Sequence, residues 1–319
     1  MLTLKLLNYS IKIISKLNKF LPFSFLNQLR ALNAQKEEII FKKIKKHYPN
    51  QIKSTVSVCD SFEKKKIWVF WYQGLESAPD IVRACISSIF ANNSDYDVVL
   101  LTKNNIRNYF DVPPHIKAKL LSGKITITHF SDILRFYLLY NYGGIWIDAT
   151  IFLTKPVSAI FSDRMFGTLK QTLHSNTSLS NTEGKWTGYF IKAPKGAEYL
   201  NHIYTFFYNY WLENEVLIDY FLIDYAIKYT YFNDEIFRDI IDGNTLNGDG
   251  RYLLINILKK KASQSLIDKI NFEPTGVHKL SFKLQGLDFL EENTVYHYIL
   301  NKYSKAMKNV NHKPHNNIK

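Results

Sequence analysis

A chain of 319 residues, 46% of them hydrophobic, is long enough to bury a sizeable core, and its formal charge of +13 at pH 7 favours anionic partners: phospholipid, a phosphorylated polymer or a lipid diphosphate. Two cysteines, Cys59 and Cys85, argue against a disulfide framework or cysteine-based metal site and suit a reducing compartment. No apolar run of about 18 residues occurs, which predicts no spanning helix, and no zinc finger, recognition helix or RNP-like motif accompanies the charge, which disfavours nucleic acid.

The first segment reads as a basic amphipathic helix. At about 100° per residue, Lys5, Lys12, Lys16 and Lys19 share one face, and Leu7, Ile11, Ile14, Leu17 and Leu21 the opposite one, until Pro22 stops the helix. Such a helix either lies on an anionic membrane surface or packs on the protein's own core. Lysines interrupt its apolar run and no small-residue cleavage site follows, so a signal peptide fits poorly. Further lysines cluster at 42–46, 64–66, 259–261 and in the tail. Residues 1–55 are expected to form a helical arm, 56–300 the main domain and 301–319 a basic, disordered tail.

Within the main domain, Lys66–Tyr72 reads as a buried strand, Pro79 opens a helix through Ala91, and Asp97–Leu101 reads as a second strand. Pro113 and Pro114 precede another helix, and Ile125–Thr128 reads as a third strand. After residue 148, Met165–Leu169 and Gly188–Ile191 read as strands around a Ser/Thr/Asn-rich loop, Gln171–Gly184, that is either a lid or a plain surface loop. Glu198–Tyr231 reads as helical and strongly aromatic. Strands alternating with helices predict an α/β fold with a mostly parallel sheet.

The densest chemistry lies in S-D-I-L-R-F-Y-L-L-Y-N-Y-G-G-I-W-I-D-A-T, Ser131 to Thr150. Asp132 and Arg135 sit three apart on a helical pattern set by Leu134, Leu138 and Leu139, so their polar heads share a face, either gripping one ligand or pairing with each other behind a Ser131 cap. Gly143 and Gly144 end the helix where positive φ is cheap, and Ile145, Trp146 and Ile147 deliver Asp148 to a strand end. A carboxylate there, beside buried apolar surface, needs compensation, and the carboxyl edge of an open α/β sheet is a natural place to hold a metal or polar ligand.

This segment resembles the donor-binding core of GT-A glycosyltransferases, in the group containing yeast-type mannosyltransferases, capsular polysaccharide synthesis proteins and, more distantly, clostridial glucosylating toxins. The shared pattern is S-D-x-x-R, a spacer, G-G, an aromatic, then D-x-D. Upstream, I-W-V-F-W-Y-Q-G (Ile67–Gly74), A-P-D-I-V (Ala78–Val82) and G-K-I-T (Gly123–Thr126) look like the capsular branch, as does D-A-T, with Thr150 where the wider group has a second aspartate.

The resemblance implies a GT-A-type, Rossmann-like α/β fold: a mixed, mainly parallel sheet flanked by helices, with helical additions at both ends. It implies a bacterial, cytoplasmic hexosyltransferase, peripheral on the inner face of the membrane. A nucleotide-diphosphate sugar would be the donor and a saccharide or lipid-linked saccharide the acceptor, with retention of configuration. Trp68, Trp71, Gln73 and Gly74 would border the nucleotide; Asp132 and Arg135 would hold the donor with Gly143, Gly144 and Thr150. Asp148, joined by His278 of P-T-G-V-H-K, would hold a divalent cation, Mn2+ or Mg2+, a role that the loss of the second acid weakens. In L-I-D-Y-F-L-I-D-Y, Asp224 reads as an i,i+4 partner of Lys228, with a catalytic base as the other reading.

Two rival classes remain. One is a non-catalytic, degenerate transferase that binds a polymer or membrane. The other is a haloacid-dehalogenase-like phosphatase with Asp148 as nucleophile, disfavoured because Thr150 stands where that motif needs an acid.

Overall fold

The chain builds its sheet around a strand of alternating bulk, K-I-W-V-F. This computed structural model describes residues 4, 6–11, 23–55, 65–172, 180–284, 286 and 292–310. Helix α1 (Phe23–Ile44) precedes strand β1 (Lys66–Phe70), helix α2 (Asp80–Asn92) and strand β2 (Asp97–Leu101). Helices α3 (Pro114–Leu121) and α4 (Ile127–Tyr142) then lead to strands β3 (Gly144–Ile147) and β4 (Ile151–Leu153). Helix α5 (Val157–Phe161) and strands β5 (Gly167–Thr168) and β6 (Phe190–Ala193) follow, then helices α6 (Glu198–Glu213), α7 (Leu222–Asn233) and α8 (Glu235–Gly243). The chain closes with α9 (Leu253–Ile257), α10 (Gln264–Asn271), strand β7 (Val277–Lys279) and α11 (Val295–Val310).

The main sheet has the order β2-β1-β3-β6-β5. Strand β1 pairs in parallel with β2 and β3, setting Trp68 opposite Val99 and Trp146, while β6 is antiparallel to both β3 and β5. Only β6 therefore runs against the common direction, which gives the mixed, mainly parallel α/β sheet expected. Alternation along β1 divides two cores: Ile67 and Val69 pack with Val82, Cys85 and Ile86 of α2, whereas Trp68 and Phe70 pack with Phe130, Ile133 and Leu134 of α4. Each large side chain fully buried this way contributes on the order of 2–3 kcal/mol.

Three sequence expectations change. Ile125–Thr128 is not a strand: Thr126 caps α4, its Oγ1 accepting from His129 N at 3.2 Å, and the β-branched run that reads as a strand is the start of a helix. Ser131 is therefore not the cap; its hydroxyl donates back to Thr128 O inside the helix. The helical stretch after Glu198 breaks into α6 and α7, and the intervening turn is fastened by Tyr210, whose hydroxyl donates to Val216 O and accepts from Ile218 N. The pair β4–β7 forms a second, two-stranded antiparallel sheet that sequence reading had not foreseen.

Residues 6–11 are helical, and Leu4 and Leu7 are buried, Leu4 in the main core beside Ile40, Ile44 and Tyr48. That part follows the reading of packing on the protein's own core; Lys5, Lys12, Lys16, Lys19, Ile14, Leu17 and Leu21 lie outside the described residues. Cys59, residues 173–179 of the Ser/Thr/Asn-rich loop and the tail beyond 310 lie outside them too, while α11 extends into the segment expected as tail. Among the described residues no helix is long and apolar enough to cross a membrane.

Candidate functional site

Asp148 is placed by the turn that precedes its strand. Gly143 has φ 67° and Gly144 φ 98°, and a Cβ would lie 2.6 Å from Lys195 N at the first and 2.4 Å from Lys66 O at the second. Glycine is required at both positions by conformation and by space. Trp68 Nε1 donates to Gly143 O at 2.9 Å, locking β1 to the turn. With the turn fixed, Ile145, Trp146 and Ile147 continue the sheet, and Asp148 N donates to Tyr189 O at 2.9 Å one residue beyond β3.

The carboxylate is then held from behind. Its Oδ1 accepts from Trp146 Nε1 at 2.9 Å and from Arg135 Nη2 at 3.4 Å. Arg135 also pairs with Asp132 Oδ1 at 3.1 Å, donates to Gly188 O, and lies with Cζ 5.1 Å from the centre of the Trp146 ring. Its side chain is only 4% exposed. Asp132 and Arg135, expected to grip the donor, thus turn inward and position Asp148, whose side chain is 28% exposed.

Burial dominates the electrostatics behind Asp148. It pushes the Asp132 carboxyl up to about 7, against the pull of Arg135 and helped by the charges of Asp148 and Asp224. His129, with Nδ1 3.5 Å from Asp132 Oδ2, is pushed down to about 4 by burial and by Arg135. Asp224 is raised to about 6 by burial, opposed by the neighbouring Trp186 indole and by the charge of Arg135.

Asp224 therefore belongs to the electrostatic surroundings of this site. Its expected helix partner Lys228 instead pairs with Glu37 at 2.6 Å and Glu183 at 2.7 Å. Lys36 holds Asp219, the other acid of the same motif, at 2.8 Å.

On the open side stands Lys279, which sequence reading missed. Its Nζ donates to Thr150 Oγ1 at 2.7 Å and to Asp148 Oδ2 at 3.3 Å, and lies 4.6 Å from the Tyr189 ring centre. The signal was its neighbour: strand alternation sends one of His278 and Lys279 into the core and the other out. His278 is the buried one, 0% exposed, with Nε2 3.3 Å from Ile270 O and its ring 6.4 Å from that of Phe152. Burial pushes its imidazole down to about 4. The expected ligand role of His278 is not met, because it faces the side of β7 away from Asp148.

A divalent cation does not fit the side chains that remain. Asp148 Oδ1 is taken by Trp146 and Arg135, while Asp148 Oδ2 and the Thr150 hydroxyl both receive the Lys279 ammonium. A double charge about 4 Å from an ammonium would be opposed by roughly 8 kcal/mol at an effective dielectric of about 20. Among the described residues no three His, Cys, Asp or Glu side chains converge as ligands.

The expected nucleotide-bordering residues divide. Trp68 is 0% exposed and packs with Tyr109 and Tyr142, so it supports the turn and is closed to a base. Trp71, just past β1, is half-buried against Phe282, 5.5 Å between ring centres, and its buried indole N–H has no partner among the described residues. Gln73 is exposed on the turn that Gly74 closes at φ 90°.

Comparison with known proteins supplies the family. The model of the capsular polysaccharide synthesis protein family matches residues 22–313. The O-glycosyltransferase braB of Annulohypoxylon truncatum is 33% identical over 105 residues, covering 30% of this chain and 25% of that protein. The O-glycosyltransferase PaGT of Phomopsis amygdali is 26% identical over 146 residues, covering 41% of this chain and 32% of that protein. The chain thus spans about a third or less of these curated relatives, and since both are fungal they do not bear out a bacterial source. The solved PaToxG glycosyltransferase aligns loosely, with TM-score 0.34 and 14% identity over 76% of this chain and 94% of that one. A match running through both cores and across the Asp148 turn settles the affiliation: the chain belongs to the capsular polysaccharide synthesis protein family.

Proposed function

We propose that this chain is a glycosyltransferase of the hexosyltransferase type, moving a sugar from a nucleotide-diphosphate sugar to a saccharide or lipid-linked saccharide of a surface or capsular polysaccharide, with retention of configuration. The observation that carries this reading is the half-buried Asp148 carboxylate at the carboxyl edge of the sheet, fixed from behind by Trp146 and Arg135. Membership of the family and the O-glycosyltransferase names of the relatives support it.

In the transfer, the bond between the anomeric carbon and the β-phosphate oxygen breaks, its electron pair going to that oxygen. The acceptor hydroxyl oxygen bonds the same carbon from the same face, and its proton passes to the departing phosphate. Asp148 accepts hydrogen bonds from ribose or sugar hydroxyls, Thr150 lends its hydroxyl at the rim, and Trp71 borders the base beside Gln73 and Gly74. Catalysis then rests on orienting the acceptor and stabilising the leaving group, with no protein nucleophile.

Calorimetric titration with UDP-, GDP- and CDP-sugars tests the reading. One nucleotide class should bind, and Asp148→Asn should weaken it about tenfold or more through loss of a charged acceptor. Binding without transfer to any saccharide would point to the degenerate, non-catalytic transferase. Absence of binding to the folded protein would contradict the transferase reading and leave the non-catalytic module that binds a polymer or membrane.

A further inference from the structure

We propose that the Lys279 ammonium takes the place of the divalent cation: it neutralises the donor diphosphate, and the site works without metal. This rests on the transferase reading above and adds the group that receives the leaving charge.

The backbone fixes where Lys279 points. Strand β7 pairs antiparallel with β4, setting Lys279 opposite Ile151 and His278 opposite Phe152, and Leu280 N donates to Thr150 O at 2.9 Å. The D-A-T turn and the lysine are thus joined by main-chain hydrogen bonds. Alternation buries His278 and projects Lys279 across the turn.

Its Nζ meets Asp148 Oδ2 and Thr150 Oγ1, the two side-chain oxygens that a cation held by this turn would use, and Tyr189 lies beneath it. An ammonium has three donors. Two are spent on these oxygens, and the third is left for a phosphate oxygen.

Exposure and charge agree with that use. The Lys279 side chain is 21% exposed, whereas Arg135, the other cation beside Asp148, is 4% exposed and committed to Asp132, Asp148 and Gly188 O. An arriving diphosphate therefore meets Lys279. As the bond from the anomeric carbon to the β-phosphate oxygen breaks, the electron pair settles on an oxygen that the ammonium can hold, and the acceptor proton then joins the departing phosphate.

The test measures binding of UDP, GDP and CDP, and nucleoside diphosphate release from their sugars, in EDTA and in Mn2+ or Mg2+. It compares wild type, Lys279→Arg and Lys279→Met, each checked for fold by circular dichroism and heat unfolding. Wild type should bind and turn over equally well in EDTA and in metal. Lys279→Met should lose about ten- to a hundredfold in affinity under both conditions, the loss expected for one charge-assisted hydrogen bond, while Lys279→Arg should keep most of it.

Wild-type binding or release that appears only with metal would overturn the proposal and leave the transferase reading standing. Full affinity of Lys279→Met in EDTA would do the same. If the folded wild type binds no nucleoside diphosphate under any condition, the transferase reading itself falls and takes this proposal with it.

Discussion

Arg135 reaches from helix α4 to Asp148 at the end of β3, its Nη2 3.4 Å from Oδ1, while the same nitrogen pairs with Asp132 at 3.1 Å. One buried guanidinium thus ties two carboxylates, one internal and one half-buried. Removing it takes the buried cation away from Asp132, while Asp148 keeps Trp146 and Lys279. Arg135→Ala should destabilise the protein by about 3–5 kcal/mol, the cost of breaking a buried ion pair from one side, as read from urea unfolding. Arg135→Lys keeps the charge but cannot reproduce the fork, so it should fold yet lose affinity for the donor.

The two glycines before β3 give a sharper stability prediction. Gly143→Ala and Gly144→Ala each force an L-residue to positive φ and drive a Cβ against backbone, Lys195 N in the first case and Lys66 O in the second. Each should cost about 1–3 kcal/mol in chemical unfolding, and neither should be relieved by a side-chain rearrangement.

Titration of Asp132 has a defined sign. Its folded pKa is raised to about 7 from an ordinary 3.8, so between these values the folded chain holds a proton that the unfolded chain has lost. This group's contribution to stability therefore falls as pH rises from about 4 to about 7. Asp132→Asn removes that dependence. Relative to wild type, the variant should gain on the order of one to a few kcal/mol across this interval. Urea midpoints at pH 4, 5.5 and 7.5 would show it; a constant difference would mean that the carboxyl is not raised.

His278 provides the opposite sign. Its folded pKa is depressed to about 4, so its contribution is present above the ordinary 6.5 and is lost as pH falls toward 4. His278→Gln should remove that loss, lower stability at neutral pH by about 1 kcal/mol and leave donor turnover unchanged, since the ring faces Ile270 and Phe152. A large loss of turnover in a folded His278→Gln protein would restore it to the site.

What the sequence revealed follows from range. The Gly143-Gly144 turn, the buried strand Ile145–Ile147 and the placement of Asp148 were legible because each is set by neighbours in the chain. Lys279 was not, because it lies 131 residues from Asp148 and is brought there by the β4–β7 ladder, a pairing of two three-residue strands with no local signature. Asp224 was read by the nearest charge in its own helix, and tertiary pairing of Lys228 with Glu37 and Glu183 overrode that local rule. Trp68 was misread for another reason: an aromatic on a central strand serves a ligand and a core equally well until its burial is known. Thr126 shows the same ambiguity in the backbone, since a short β-branched run suits a strand and a capped helix start alike.

The measurement that bears most directly on the central claim is nucleoside diphosphate release from UDP-, GDP- and CDP-sugars by wild type and by Asp148→Asn, with both proteins shown to be folded. The account expects donor-selective release by wild type and its fall by about two orders of magnitude in the variant, the scale of losing a charged group that orients the donor. Equal release by the two proteins would contradict it.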